Sequence, residues 1–558
     1  MKPARITTAV ALVIALLFAS APGAQDTPLM SAMQDEMRRS MTELRLPGEP
    51  GPYYVEYEVN DLVSMRAVAR LGGIVDDLAD RGRTLQVQVR VGDYAFDNSR
   101  FITQDRGARA PALSELTASL DDNYDAMRQQ LWLTTDAAYK HAVNVFARKK
   151  ATFQNRTVAD AIPDFSRDTP NDVVETTVAP RPQGREWVER ARELSAIFAA
   201  TGGLEGSEVW LSETHGNRYY LNSEGSKTVT PVGSAYLRIA AEAQAEDGAT
   251  VRDLVVMIER TLDDLPPMEQ LRMMVADVAN RTRIRRSAGV GEEFTGPVLV
   301  EGQASAQLVR QTLVPLLLAR RPADAENQRF GQGQGQATPF LTRIGLRVLT
   351  DSFFVSDTPS VRQLDGRPVA GAYLVDDEGV LAKDVSLVEK GRLVTLLTGR
   401  TPQRRLLKST GHGRSGTVHA GVFQMSSTEA IPLPQLKTKY LDLLKLQDKS
   451  FGYIVRSIAP PGEAPGGQGG GPVILDIVKV TLDGREEPVR GLRFGDVPPS
   501  AFRDILEASQ ERTLENYRIN VVGAASVIAP SMIFEELEIE QTREIVQKPP
   551  LVPSPLAP

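Results

Sequence analysis

From about Phe294 onward the sequence breaks into short apolar runs separated by glycine and aspartate turns, and this pattern limits the fold more than any other feature. The runs are Ile344 to Leu349, Ala370 to Val375, Leu393 to Leu397, Gly452 to Ile458, Val473 to Leu482 and Ser531 to Ile539. Short strands at regular spacing predict a large, mostly antiparallel β-rich domain, barrel-like or sandwich-like. At its start, a strand over Pro297 to Glu301 leads into a helix expected over Ala304 to Arg320. Pro315 should kink that helix, because proline removes a backbone donor and crowds the preceding turn. Phe502, Ile505 and Leu506 predict another helix from near Ser500.

The part before residue 290 mixes both periodicities. Ser31 to Leu46 reads as a charged helix ended by Pro47-Gly48, and Asp122 to Lys150 as a long helix. Tyr53 to Val59 reads as a strand, and Leu85, Val87, Val89 and Val91 alternate with polar residues as in a half-buried strand. Val158 to Arg185 is polar and proline-containing and reads as a linker. Trp187, Ala191, Leu194, Ile197 and Phe198 then fall at helical spacing. Strands follow at Glu208 to Glu213, Arg218 to Asn222 and Ala235 to Ala243, and Pro266-Pro267 opens a helix carrying Leu271, Met274, Val275 and Val278 on one face. The expected class is α+β: N-terminal mixed α/β domains over 25–185 and 186–290, then the β-rich domain over 291–547. Gln332 to Gln336 and Ala464 to Gly471 read as loops, and 548–558 as a disordered proline-rich tail.

Composition narrows the chemistry. The 558 residues carry a net charge of -7, so the chain as a whole has no electrostatic footprint for nucleic acid. The basic runs Arg281 to Arg286 and Arg404 to Lys408 read as solvated faces. There is no cysteine, which excludes disulfides, thiolate ligands and a cysteine nucleophile, and there are only four histidines: His141, His215, His412 and His419. Lys2 and Arg5, the apolar run Ala9 to Phe18 and the small residues Ala19-Ser20-Ala21 and Gly23-Ala24 read as a secretory signal peptide over 1–24. Its core is too short to span a bilayer comfortably, and no later stretch is long and apolar enough. The chain is therefore expected to be exported, periplasmic or secreted, without stable membrane insertion.

Gly411-His412-Gly413-Arg414-Ser415-Gly416 fits GxGxxG in letters only. A dinucleotide site needs a helix N-terminus directly after the glycines, and Thr417-Val418-His419-Ala420 does not read as a helix, so a glycine-enabled turn is the better reading. His412 and His419 flank that turn and could ligate a metal only with a further donor such as Asp376. Asp376-Asp377-Glu378-Gly379 and Asn222-Ser223-Glu224-Gly225 have the residues of β-turns. No HExxH, GxSxG or Walker motif occurs.

In order, Asn222-Ser223-Glu224-Gly225, Phe294 to Gly302, Asp376 to Gly379, Leu387 to Gly391 and Ser409 to Arg414 resemble the TldD/PmbA family, once described as modulators of DNA gyrase. The resemblance covers most of the chain after residue 50 and is best from 290 to 420. It implies a metallopeptidase fold in which an HExxxH motif after the Gly-Pro-Val-Leu strand supplies two zinc-binding histidines and a glutamate general base, with a later cysteine as third ligand. Here the corresponding residues are Val300-Glu301-Gly302-Gln303-Ala304-Ser305. Glu301 keeps the general-base position, Val300 and Ser305 replace the histidines, and the cysteine is lacking. The pattern is closer to the family's metal-free PmbA/TldE-type subunits.

The resemblance thus implies a non-catalytic subunit with no cofactor of its own, zinc being held by catalytic relatives. It would form a homodimer, or a heterodimer with a TldD-like paralogue, around a peptide substrate. His412, Arg414, His419 and Asp376 are candidates for contact with that substrate or its cavity. Two alternatives differ in class: an active, divergent metallopeptidase built from Glu301, His412, His419 and Asp376, and a structural or binding module of the cell envelope.

Overall fold

The computed structural model describes residues 27–103, 116–154, 162–179, 185–327, 338–463 and 471–542, together with 546 and 552. The expected signal peptide over 1–24, the Gln332 to Gln336 loop, the 464–470 part of the glycine-rich loop and nearly all of the expected 548–558 tail lie outside them.

The first half is one seven-stranded sheet. Its strands are β1 (Pro52–Arg70), β2 (Gly73–Val91), β3 (Leu116–Thr117), β4 (Asp172–Val174), β5 (Gly206–Asn222), β6 (Lys227–Gln244) and β7 (Thr250–Glu259). The order is β3-β2-β1-β5-β6-β4, with β7 also pairing β6. Strand β1 pairs β5 from Glu56↔Asn222 to Ala69↔Val209, so a single sheet crosses the boundary expected at 185/186. The two segments do not form separate sheets, because β1 is hydrogen-bonded to β2 on one side and to β5 on the other. Leu71 and Gly72, both at positive φ (49° and 81°), close the β1–β2 hairpin as a two-residue turn whose twist matches the strands.

Period-two alternation sends Val55, Tyr57, Val59, Met65, Ala67, Val87, Val209, Leu237 and Ile239 to one face. Two helix pairs cover that face. Helices α1 (Pro28–Glu43) and α2 (Tyr124–Phe153) bury Met30, Met33, Leu131 and Tyr139 against Val55, Tyr57 and Val87. Helices α3 (Glu186–Ala196) and α4 (Met268–Arg286) bury Trp187, Leu194, Leu271 and Val275 against Ala67, Val209 and Leu237. Each such side chain contributes about 1.5–3 kcal/mol on burial. The expected linker is partly built in: Phe165 is buried, and Ser166 N–H donates to the Arg400 carbonyl at 2.9 Å.

The second half is an eleven-stranded sheet. Its strands are β8 (Phe294–Val300), β9 (Phe353–Asp357), β10 (Val385–Glu389), β11 (Arg392–Leu393), β12 (Val422–Ser427), β13 (Phe451–Ile458), β14 (Ile474–Thr481), β15 (Glu486–Pro488), β16 (Leu492–Phe494), β17 (Ile505–Arg518) and β18 (Ala524–Gln541). The order is β11-β10-β9-β12-β18-β8-β13-β14-β15, with β16 and β17 also on β18. Most pairs are antiparallel; β12–β18 and β8–β13 are parallel. Val298, Leu299 and Val300 are buried in succession, as in a strand covered on both faces. Helix α5 (Gln303–Leu308) and helix α6 (Leu433–Leu446) pack here, α6 through Leu436, Tyr440 and Leu444. The architecture is α+β.

Several local expectations are corrected. Ile344 to Leu349 and Ala370 to Val375 are loops. Val348, Leu349, Ala370 and Ala372 are apolar because the loops tuck them into cores, not because they pair in a sheet. The run from Leu393 is a strand only at its start, and its end makes a single bridge from Leu397 to Leu318. The helix before Pro315 is α-helical only to Leu308, then a π turn (Val309–Leu313) and a 3-10 turn (Val314–Leu317) absorb the missing proline donor. Ser500 begins no more than a 3-10 turn (Pro499–Phe502), and Ile505 and Leu506 start β17.

Candidate functional site

The general-base position lies at the junction of β8 and α5. Glu301 N–H donates to the Val455 carbonyl at 2.8 Å, which continues the β8–β13 pairing by one residue. Gly302 follows at φ 54° and turns the chain into α5. The Glu301 carboxylate is held between two cations: Oε1 lies 3.0 Å from Lys437 Nζ, and Oε2 lies 3.4 Å from Arg456 Nε. Arg456 is shared with Glu486 at 2.8 Å. The flanking ligand positions are closed. Val300 is fully buried, and Ser305, also fully buried, donates its hydroxyl to the Pro530 carbonyl at 2.5 Å.

These residues do not fit the zinc that the family resemblance implies. Valine offers no lone pair, and the serine oxygen is committed to a backbone carbonyl. The one carboxylate is neutralised by Lys437 and Arg456, and zinc sites draw on three or four nitrogen, sulfur or carboxylate donors. The alternative ligand set is not brought together either. Among the described residues no three of His, Asp and Glu are grouped so as to hold a metal ion.

The remaining sequence candidates sit at the seam where the polar face of the N-terminal sheet meets loops of the C-terminal one. His412 is fully buried, with Nε2 3.1 Å from Asp357 Oδ1, which also accepts from the Gly421 and Val422 N–H groups at 3.1 and 3.2 Å. That places His412 in a structural pair. Gly413–Arg414 and Thr417–Val418 form a two-stranded hairpin whose turn, Ser415-Gly416, has φ of 50° and 71°. No helix follows the GxGxxG string, which excludes a phosphate cradle there. His419 lies on that hairpin, its basicity pushed down to about 4 by burial and by the nearby Arg320 and Arg414. His141 lies in α2, where burial lowers its pKa.

Asp376 to Gly379 is a β-turn closed by Gly379 N–H on the Asp376 carbonyl at 3.2 Å. The Asp376 carboxylate accepts from Glu378, Val380 and Gly413 N–H at 2.8–3.0 Å. Burial, and then the Glu378 charge, push its pKa well above the usual carboxylate range. Asp377 is also desolvated, yet Arg218 and Arg414 hold it below that range. Arg218 Nη1 donates to Asp377 Oδ1, and Ser415 N–H donates to Oδ2 at 2.7 Å.

Beside this turn lies a cavity of about 460 Å³ between β5, β6 and the C-terminal loops. Arg414 and Asp377 line it; Asp376, His412 and His419 do not. Its other polar walls are Arg218, Arg260, Arg362, Glu175, Glu213 and His215, of which only His215 stood out in the sequence, as one of four histidines. They come from widely separated segments, so no local motif marks them.

The fold is α+β, and its C-terminal half is of metallopeptidase-like type. Residues 294–541 match the PmbA/TldA metallopeptidase C-terminal domain, so that this part of the chain is of TldD/PmbA type. Three solved structures share its fold. A modulator of a DNA gyrase from Thermotoga maritima superposes with a TM-score of 0.59 at 14% identity, over 91% of this chain and 100% of its own. TldE from Thermococcus kodakarensis gives 0.56 at 15%, over 91% and 99%. A modulator of DNA gyrase from Bacteroides thetaiotaomicron gives 0.56 at 12%, over 92% and 98%. No curated protein sequence is significantly similar to the chain.

Proposed function

We propose that this chain is an exported, non-catalytic subunit of a TldD/PmbA-type peptidase system. It pairs with a second copy or with a paralogue that bears HExxxH, and it helps enclose a chamber for unfolded peptides. The observation that carries this reading is the state of Glu301. Its carboxylate is occupied by Lys437 and Arg456, while the two positions beside it are a buried valine and a buried serine already bonded to Pro530. A carboxylate bonded to two cations is a poor general base, and no neighbouring donor set remains to activate water. Export is supported by the charged, apolar and small-residue pattern of 1–24. No helix among the described residues is long and apolar enough to cross a membrane.

The test is elemental analysis of the purified mature protein, beginning near Gln25, without added zinc, together with affinity capture from its native host. The reading expects substoichiometric transition metal, no peptide hydrolysis by the chain alone, and recovery as a dimer with itself or with an HExxxH paralogue. One tightly held metal ion per chain with hydrolysis of unfolded peptides would overturn it.

A further inference from the structure

The cavity at the seam has an unusual charge arrangement. Four arginines line it against three carboxylates. Arg218 is paired with Asp377, and Asp377 has no oxygen left over, since its second one takes Ser415 N–H. Glu213 accepts Leu262 N–H at 2.9 Å and faces His215 Nδ1 at 3.3 Å. Arg260, Arg362 and Arg414 have no carboxylate within ion-pair distance among the described residues. Arg414 is only 7% exposed, yet its contacts are one carbonyl, Ala420 at 3.3 Å, and the face of the Tyr373 ring at 4.3 Å. Arg260 donates to the Ala372 carbonyl. Arg362 stands exposed at the rim.

A buried guanidinium such as that of Arg414 is costly without an anion, and the three cations repel one another. Burial, then Arg362 and later Arg414, lower the pKa of Arg260. The walls between the charges are apolar: Val178, Pro231, Val232, Leu374, Val375 and Ala524. Planar guanidinium forks above an apolar floor match a carboxylate carried on an apolar body. A phosphate dianion would also meet the Glu175 carboxylate, whereas a singly charged carboxylate followed by amide N–H groups would find in Glu175 an acceptor.

We infer that this cavity binds the C-terminal carboxylate and last side chain of a peptide, with Arg260, Arg362 and Arg414 on the carboxylate and the Val232–Val375 wall on the side chain. The inference rests on the peptide-handling reading above and assigns it a position at the seam, away from Glu301.

The test is fluorescence anisotropy of the full mature chain with a short unfolded peptide, labelled at its N-terminus and ending in leucine. The free acid is compared with the C-terminal amide, and inorganic phosphate serves as competitor. The free acid should bind about ten-fold or more tightly than the amide, the scale of one lost charge-assisted bidentate contact. Arg362→Glu, on an exposed side chain, and Val232→Trp, which fills the cavity, should each weaken the acid by about the same factor with an unchanged circular dichroism spectrum. Equal affinity for acid and amide, unaffected by Arg362→Glu, would overturn the pocket and leave the peptide-handling reading standing. Absence of binding by either peptide would overturn both. Displacement of the acid by millimolar phosphate would overturn the carboxylate assignment in favour of a general oxyanion site.

Discussion

Arg400 Nη2 lies 2.7 Å from Glu224 Oε2, joining a loop of the C-terminal half to the β5–β6 turn of the N-terminal sheet. The guanidinium also donates to the Ser166 carbonyl at 2.6 Å and stacks on Phe165 at 3.9 Å, and Arg400 N–H donates to Glu378 at 2.6 Å. One fully buried side chain thus ties together three segments distant in sequence. Arg400→Met leaves Glu224 without its cation, and removing one partner of a buried pair costs about 3–5 kcal/mol. Urea unfolding followed by intrinsic fluorescence should show that loss. A change within error of zero would mean the seam is not held by this pair.

Restoring a histidine at the second ligand position should fail. Ser305 is fully buried and bonded to Pro530, so Ser305→His forces a larger ring into a packed site. Overpacking of this kind costs about 1–3 kcal/mol. Denaturant titration should register the destabilisation, and elemental analysis should find no gain in bound zinc. A stable variant that takes up one zinc ion would show that the position is still open.

Gly413 explains one glycine of the GxGxxG string as close packing. A Cβ there would stand 2.0 Å from Glu378 Oε2, a carboxylate already fixed by Arg400 N–H. Gly413→Ala is expected to lower stability by about 1–3 kcal/mol, measured by the shift in the urea midpoint at constant slope. An unshifted midpoint would mean Glu378 can move aside freely.

Glu259 sets a pH dependence. Burial pushes its pKa up to about 7, with Arg367 pulling it back and Asp264 adding to the rise, while its carboxylate accepts from Asn516 at 3.1 Å. In the unfolded chain it ionises near 4.5. A raised folded pKa gives stability that is complete below the unfolded value and is lost as pH rises through the folded one. Between pH 4.5 and 7 the wild type should therefore lose on the order of 2 kcal/mol relative to Glu259→Gln. Urea midpoints of both proteins across that range check this, and parallel curves would refute it.

Much of the N-terminal sheet was legible because its strands are buried on one face. Val55, Tyr57 and Val59, and Leu85, Val87 and Val89, alternate as a half-covered sheet requires, and α1 to α4 carry matching stripes. In the C-terminal half apolarity reports burial, not pairing, so Ile344 to Leu349 and Ala370 to Val375 read as strands although they are core-filling loops. The Asp376 turn was legible from its residues. Glu301 was found through the family resemblance, but Lys437 and Arg456, which neutralise it, lie more than a hundred residues away. Of the cavity arginines only Arg414 was singled out by the sequence, through the family resemblance. Residues 218, 260, 362 and 414 share no spacing, and only the meeting of two sheets puts them around one volume.

Strand β18 is bonded to β8, β12, β16 and β17, yet it is the last strand of the sheet in chain order. A ribosome that has reached residue 520 has synthesised ten strands of this sheet whose central partner does not yet exist. The C-terminal half must therefore stay open until synthesis is nearly over and then close in one late, non-local step. Such closure is slow and leaves strand edges exposed to other chains. Chains that stop short of residue 524 should be aggregation-prone and poor partners for any other subunit.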